Sequence, residues 1–228
     1  TASLQAKRRL GLTATFVRED EKEKEIFTLI GPKRYESPWK EIEEKGWIAE
    51  VECYEMRVPL ARELFETYLR APEREKYRIS SMNPVKQEAV RRILESRRDE
   101  RIIIIGQYLE QLKQVSDMLG SPLITGKTPN AERIKLYSAF RRGSISLLVV
   151  SKVANFAIDL PDASVAIQLS GTFGSRQEEA QRLGRILRPK NGKKAEFYSI
   201  ITRGTRDQEV NAKRQLFLTE QGYTYHIV

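Results

Sequence analysis

Ile102-Ile103-Ile104-Ile105, closed by Gly106, is a run of four β-branched apolar residues whose reading decides the fold. A strand with one wet face alternates apolar and polar positions. This run offers nothing to solvent, so it predicts a central strand of a parallel sheet covered by helices on both sides. Before it, Pro84 opens a helix in which Val85, Ala89, Val90, Ile93 and Leu94 trace an apolar stripe. After it, the pattern predicts a helix from about 108 to 119 ending near Gly120, a short strand around Leu123 to Thr125, and a helix over about 130 to 141 with Ile134, Tyr137 and Phe140 inward. Leu147 to Val150, Val165 to Leu169 and residues 196 to 202 read as further strands. The alternation from about residue 84 onward is that of one doubly wound α/β domain.

The first third reads differently. Leu10 to Thr15 resembles a strand running into a loop, but so short a stretch makes no sheet, so the chain is expected to begin inside a fold. Residues 48 to 58 alternate loosely and read as a strand. Pro59 then opens a charged helical stretch to about residue 78, either an inserted helical motif or a linker.

The 228 residues hold 40 Lys and Arg against 31 Asp and Glu, a net charge of +9. That balance favours polyanionic partners, nucleic acid first and an acidic membrane surface second. Acid is interleaved with base in Glu21-Lys22-Glu23-Lys24-Glu25, which also reads as a solvated face. No stretch reaches the roughly 18 apolar residues of a membrane span, and no leader-like apolar run opens the chain. The expectation is a soluble, intracellular protein, in cytoplasm or nucleoid if prokaryotic (the favoured case) and in the nucleus if eukaryotic. Cys53 is the only cysteine and His226 the only histidine. An internal disulfide, a cysteine zinc site, a histidine metal cluster and a histidine triad are thereby excluded, and no metal ligands are predicted. His226 itself reads as an edge or tail residue.

Chemistry concentrates in Gln181-Arg182-Leu183-Gly184-Arg185-Ile186-Leu187-Arg188. On a helix Gln181, Arg185 and Arg188 share one face, so two guanidiniums and an amide can meet a polyanion from one direction. A triphosphate suits them, because the guanidinium fork binds phosphate oxygens bidentately and keeps its charge. Gly184 in mid-helix costs about 1 kcal/mol relative to alanine, which implies a close approach to the backbone there.

Gly126-Lys127-Thr128 invites a phosphate-loop reading that its spacing refuses. Five residues rather than four separate Gly120 from Gly126, Pro122 lies among them, and a helix rather than a strand is expected before the glycine. Thr125, Lys127 and Thr128 form either an ordinary turn or a strand-end loop that grips a nucleic-acid phosphate beside a helix N-terminus.

Set in order, these residues resemble a family. Gly11-Leu12-Thr13-Ala14-Thr15 looks like motif III of the superfamily-two helicases, the segment Ser151 to Pro161 like motif V, and Gln181 to Arg188 like motif VI. Arg18-Glu19-Asp20 after motif III, Gly174 to Ala180 before motif VI, and Lys213-Arg214-Gln215 resemble the XPB-type DNA repair helicases in particular. The resemblance covers essentially the whole chain.

It implies a RecA-like doubly wound parallel sheet, the second helicase domain, over 84–228. A connecting strand and short thumb-like helical insertion would occupy 47–83, and a tail of the first RecA-like domain 1–46. It further implies an ATP-dependent 3′-to-5′ DNA helicase or translocase that opens DNA for nucleotide excision repair and, in some lineages, transcription initiation. Arg185 and Arg188 would be arginine fingers with Gln181 beside them. Asp159, Arg182 and Gly184 would lie at the nucleotide, and Thr13, Thr15, Arg18, Glu19 and Asp20 would couple nucleotide to DNA. Lys127, Thr128, Arg133, Ser151, Lys152 and Arg176 would meet the DNA backbone.

ATP and Mg²⁺ would be held mainly by a first domain bearing the phosphate loop and an Asp-Glu-x-His box, neither of which occurs in these 228 residues. The chain alone is therefore expected to be inactive. Implied partners are DNA, that N-terminal RecA-like domain, and a repair nuclease or a larger transcription-repair complex. The alternative reading is a non-catalytic DNA-binding or partner-docking module with a helicase-like fold.

Overall fold

A computed structural model describes residues 7–12, 23–46, 50–151, 163–171 and 194–228. Within them the strands β1 (Val51–Val58), β2 (Ile102–Gly106), β3 (Leu123–Ile124), β4 (Leu147–Ser151), β5 (Val165–Gln168), β6 (Ala195–Thr202) and β7 (Tyr225–Ile227) form one sheet. Its order is β3-β4-β2-β5-β6-β1-β7, and every pairing is parallel. The described helices are α1 (Glu23–Ile30), α2 (Trp39–Glu44), α3 (Arg62–Arg70), α4 (Glu73–Ser81), α5 (Val85–Ser96), α6 (Leu109–Leu119), α7 (Asn130–Arg142) and α8 (Arg206–Glu220).

The isoleucine run is a central strand buried on both faces, with β4 on one side and β5 on the other. Its side chains alternate between two cores, as the strand period of two requires. Ile103 and Ile105 join Leu148, Val150, Ala166 and Phe197 beneath Tyr137 and Phe140 of α7. Ile102 and Ile104 join Val149, Val165 and Ile167 beneath α5 (Ala89, Val90, Ile93) and α6 (Leu112, Val115). α6 and α7 end at Gly120 (φ 61°) and Gly143 (φ 79°), left-handed positions that a residue with a Cβ adopts only at a cost. Ile104→Val, which deletes one methyl from a fully buried site, is expected to destabilise the fold by about 0.5–1.5 kcal/mol. The check is a lower urea midpoint at unchanged denaturant slope; an unmoved midpoint would refute tight packing there.

Several expectations change. Ile134 is 57% exposed, while Leu136 packs against the core and Tyr137 and Phe140 are buried in it. Arg133, Leu136, Tyr137 and Phe140 follow the i, i+3, i+4, i+7 rule, and Ile134 lies just off that stripe. Lys7 to Leu12 form no strand, and Leu10 and Leu12 stand 83% and 87% exposed. A strand needs an edge to pair with, and none reaches those residues among the described ones; Thr13 to Thr15 lie outside them.

The charged stretch after Pro59 is two helices, broken at Ala71-Pro72 where the proline has no N–H to continue the first. The strand expected to connect ahead of residue 84 lies inside the sheet. β1 pairs with β6 over eight residues and with β7 on its other side, burying Cys53 and Val58. α2 also packs on the end of the chain. Trp39 N donates to Gln221 Oε1 at 3.1 Å, Tyr223 Oη donates to Glu43 Oε2 at 2.6 Å, and the Lys40 ammonium lies 4.5 Å from the Tyr223 ring centre. His226 sits on the edge strand β7, its ring tilted against Tyr54.

Candidate functional site

Because all the described strands run the same way, their carboxyl ends share one edge, which is where open α/β sheets bind ligands. At that edge lie Gln107 after β2, Thr125 to Thr128 after β3, Ser151 closing β4, Leu169 to Gly171 after β5, and Arg203 to Thr205 after β6.

The exit from β5 is held by buried polar side chains from four helices. Lys86, at the start of α5, donates from Nζ to Leu169 O and to Asp207 Oδ2, both at 2.7 Å. The side chains of both partners are buried. Asp207, in the first turn of α8, also accepts from Thr202 N at 2.9 Å and Ser81 Oγ at 3.4 Å. Burial pulls the Lys86 amine below its ordinary pKa, and the Asp207 carboxylate opposes that pull. Ser170 Oγ accepts from Gln107 N at 2.9 Å and donates to Gln111 Oε1 at 3.1 Å; Gln111 Nε2 in turn donates to Ser81 O at 2.7 Å.

Gly171 is held by Tyr77 of α4, whose Oη donates to Gly171 O at 2.5 Å and accepts from Gly171 N at 3.3 Å. Arg214 of α8 donates from Nη1 to the same phenol oxygen at 2.9 Å and from Nη2 to Asn211 Oδ1 at 2.8 Å. A Cβ on Gly171 would lie 2.8 Å from Arg214 Nη1, so the guanidinium packs directly on that backbone.

The loop after β3 is tied internally. Thr125 N donates to Thr128 Oγ1 at 2.9 Å, Thr128 N to Thr125 O at 3.2 Å, and Lys127 N to Thr125 Oγ1 at 3.1 Å. Arg133 Nη2 donates to the carbonyls of Thr125 and Thr128 at 3.3 Å each, so this arginine braces the loop. Lys127 is exposed, and its ammonium has no partner among the described residues. The loop runs from a strand into a helix, as the short strand expected around Leu123 to Thr125 implies, and the two residues of β3 pair with Val149 and Val150; the glycine spacing still refuses a phosphate loop. Ser151 is 1% exposed and opposite Gly106 in register, and neither its Oγ nor Gln107 Oε1 has a hydrogen-bond partner among the described residues.

The structure thus brings Lys127, Thr128 and Ser151 to one edge of the sheet, with Arg133 of α7 reaching the same loop through its side chain. Thr13, Thr15, Arg18, Glu19, Asp20, Lys152, Asp159, Arg176, Gln181, Arg182, Gly184, Arg185 and Arg188 lie outside the described residues. Sequence reasoning passed over Lys86, Asp207 and Tyr77. One signal was present: Lys86, Ala89, Val90 and Ile93 stand at i, i+3, i+4, i+7, so the lysine opens the apolar stripe itself. Among the described residues no group of acidic, histidine or cysteine side chains could hold a metal ion, and no helix is long and apolar enough to cross a membrane.

A sequence model of the ERCC3/RAD25/XPB C-terminal helicase family matches residues 42–228. The chain belongs to this family. It is 57% identical over its whole length to the DNA 3′-5′ helicase XPB of Mycobacterium tuberculosis, of which it spans 42%. It is 40% identical to the general transcription and DNA repair factor IIH helicase/translocase subunit XPB/SSL2 of Saccharomyces cerevisiae, again over its whole length and spanning 28% of that protein. The chain therefore spans less than half the length of these relatives.

Among solved structures, S. cerevisiae Dbp5 bound to RNA and ADP BeF3 superposes with a TM-score of 0.65 at 14% identity, over 95% of this chain and 50% of that one. A DEAD box protein from Methanococcus jannaschii gives 0.55 at 18% identity, over 93% and 49%. At such identities the likeness concerns the fold alone, a RecA-like parallel α/β sheet.

Proposed function

We propose that this chain is the C-terminal motor half of an ATP-dependent 3′-to-5′ DNA helicase or translocase that opens DNA for nucleotide excision repair. The observation that carries the reading is the family match over residues 42–228, which takes in the whole Gln181 to Arg188 segment. In this reading Arg185 and Arg188 meet the γ-phosphate with Gln181 beside them, and Asp159, Arg182 and Gly184 lie at the nucleotide. ATP and Mg²⁺ are held mainly by an N-terminal RecA-like domain, of which residues 1–46 contribute a tail. Residues 47–83 bring a strand and the short thumb-like helices, and 84–228 the rest of the second domain.

Thr13, Thr15, Arg18, Glu19 and Asp20 couple nucleotide state to DNA as the cleft closes. Lys127, Thr128, Lys152 and Arg176 contact the sugar-phosphate backbone, Ser151 closes β4 at the same edge as a buried residue that does not itself reach DNA, and Arg133 serves the contact by bracing the Thr125 to Thr128 loop. The parallel carboxyl edge supports this placement, since Lys127 and Ser151 both lie at strand ends along it. Partners are DNA and the N-terminal domain, with a repair nuclease or a transcription-repair complex beyond them, in cytoplasm or nucleus.

The test is ATP hydrolysis by the full-length protein with and without DNA. Stimulation by DNA is expected there and no turnover in the 228-residue chain alone; a full-length protein that hydrolyses no ATP would be a docking module instead. DNA binding is expected to be tolerant of sequence and to weaken steeply between about 50 and 200 mM salt, as backbone neutralisation requires. A binding curve flat across that range would remove the backbone contacts.

A further inference from the structure

Each of the residues Leu169, Ser170 and Gly171 is gripped by at least one buried polar side chain. Lys86 holds Leu169 O, Gln111 holds Ser170 Oγ, and Tyr77 with Arg214 holds Gly171. The gripping side chains are 0%, 2%, 4% and 2% exposed for Lys86, Gln111, Tyr77 and Arg214. They come from α5, α6, α4 and α8 in turn, so the bulk of the helical layer converges on three residues.

Stability alone does not account for this arrangement. Removing charges from water costs several kcal/mol per ion, and well-packed apolar residues often replace buried ion pairs with no loss of stability. What such a network delivers is a fixed geometry, here at one point of the backbone. That point lies at the carboxyl edge of the sheet, where the chain leaves β5 toward Gln181, Arg185 and Arg188. The segment returns at Lys194, where the hold is of another kind. The Lys194 ammonium is 49% exposed and pairs with Glu50 at 2.5 Å and Glu52 at 3.2 Å, in reach of water. Exposed pairs of that sort fix little.

We infer that Tyr77 and Arg214 are positioning residues for ATP turnover: by clamping the Gly171 peptide they anchor the segment that presents Arg185 and Arg188. The inference rests on the reading of those two arginines as fingers. Neither Tyr77 nor Arg214 touches nucleotide in it. Tyr77 acts through one hydroxyl that donates to the carbonyl and accepts from the amide of the same glycine, which fixes the orientation of the backbone there as well as its place. Misplacing a reacting group by about 1 Å can cost about 10²-fold in rate, so a subtle change at Gly171 should register in catalysis while ground-state binding persists.

Two variants of the full-length protein test it from opposite directions. Tyr77→Phe keeps the ring and removes the hydroxyl; Gly171→Ala keeps every hydrogen-bonding group and inserts a methyl that forces the Arg214 guanidinium to shift. In both, DNA-stimulated kcat is expected to fall about 10- to 100-fold. DNA binding stoichiometry and the affinity for MgATP should remain within twofold. Affinity for ADP with aluminium fluoride, a transition-state mimic, should fall in step with kcat. A role confined to stability would instead lower the stoichiometry and leave each remaining site with wild-type kcat and mimic affinity, and that result overturns the inference. Wild-type kcat in both variants overturns it too. Arg185→Ala measured alongside separates the two levels. If it is inactive while Tyr77→Phe and Gly171→Ala are normal, the positioning role alone fails; if it turns over normally, the arginine-finger reading fails and takes the positioning role with it.

Discussion

Arg185→Ala and Arg188→Ala in the full-length protein are each expected to lower DNA-stimulated ATP turnover by about 10³- to 10⁵-fold, the range that arginine fingers contribute in phosphoryl transfer. The effect is large because charge spreads over the equatorial phosphoryl oxygens only as the transition state forms. A guanidinium aimed there stabilises that state more than bound ATP. The loss should therefore fall on kcat, with affinity for ATP and DNA largely kept. Lysine is a poor substitute, since an ammonium is a point charge where the guanidinium offers a planar, two-pronged fork. Arg185→Lys should accordingly recover little of the rate. Single-turnover hydrolysis with saturating DNA checks this directly, because it isolates chemistry from product release. Near-wild-type rates in both alanine variants would sink the assignment of fingers to this segment.

The legible and illegible parts of the molecule differ in kind. Ile102 to Ile105 announced a strand buried on two faces because no residue in the run tolerates water, and period two then split it between two cores without further information. Gly120 marked a helix end because the left-handed backbone there favours a residue without a Cβ, and the structure shows Gly143 closing α7 in the same way. By contrast, β1 read as a connector, since its loose alternation names no partner; only the pairing with β6 and β7 shows its place. Ile134 was misplaced by a single step around a helix, an error that apolar counting cannot see when Arg133 takes the inward position to brace a loop.

The candidate site divides the same way. Three arginines at close spacing are visible to inspection, whereas the clamp on Leu169 to Gly171 is assembled from helices far apart in sequence. Lys86 was hidden because charge ordinarily predicts solvent. Nothing local to it reveals Asp207, more than a hundred residues away.

Lys86→Met is the substitution expected to cost the most stability, about 3–5 kcal/mol, the usual range when one partner of a buried pair is removed. Methionine fills the space of the lysine stem but leaves Asp207 fully buried with only Thr202 N and Ser81 Oγ as donors. Two neutral donors do not offset a carboxylate. Lys86→Met/Asp207→Asn should lose less than the sum of the single losses, because neither residual charge is then stranded; neighbouring pairs of this kind couple by about 0.5–3 kcal/mol.

Asp207→Asn alone carries a pH signature whose sign follows from the lysine. Burial lowers the amine from its ordinary pKa of 10.5, and Asp207 is the group that resists. With the carboxylate gone, the folded protein holds the Lys86 proton less tightly still, whereas the unfolded chain holds it normally. The unfolded state then binds more protons, so the stability of the variant rises with pH up to the unfolded value. Urea unfolding of Asp207→Asn should thus approach wild type as pH climbs from neutral toward 10.5, while Lys86→Met, which lacks the amine, should show no such recovery. Parallel pH profiles for the two variants would mean that Lys86 and Asp207 do not meet as charges inside the folded protein.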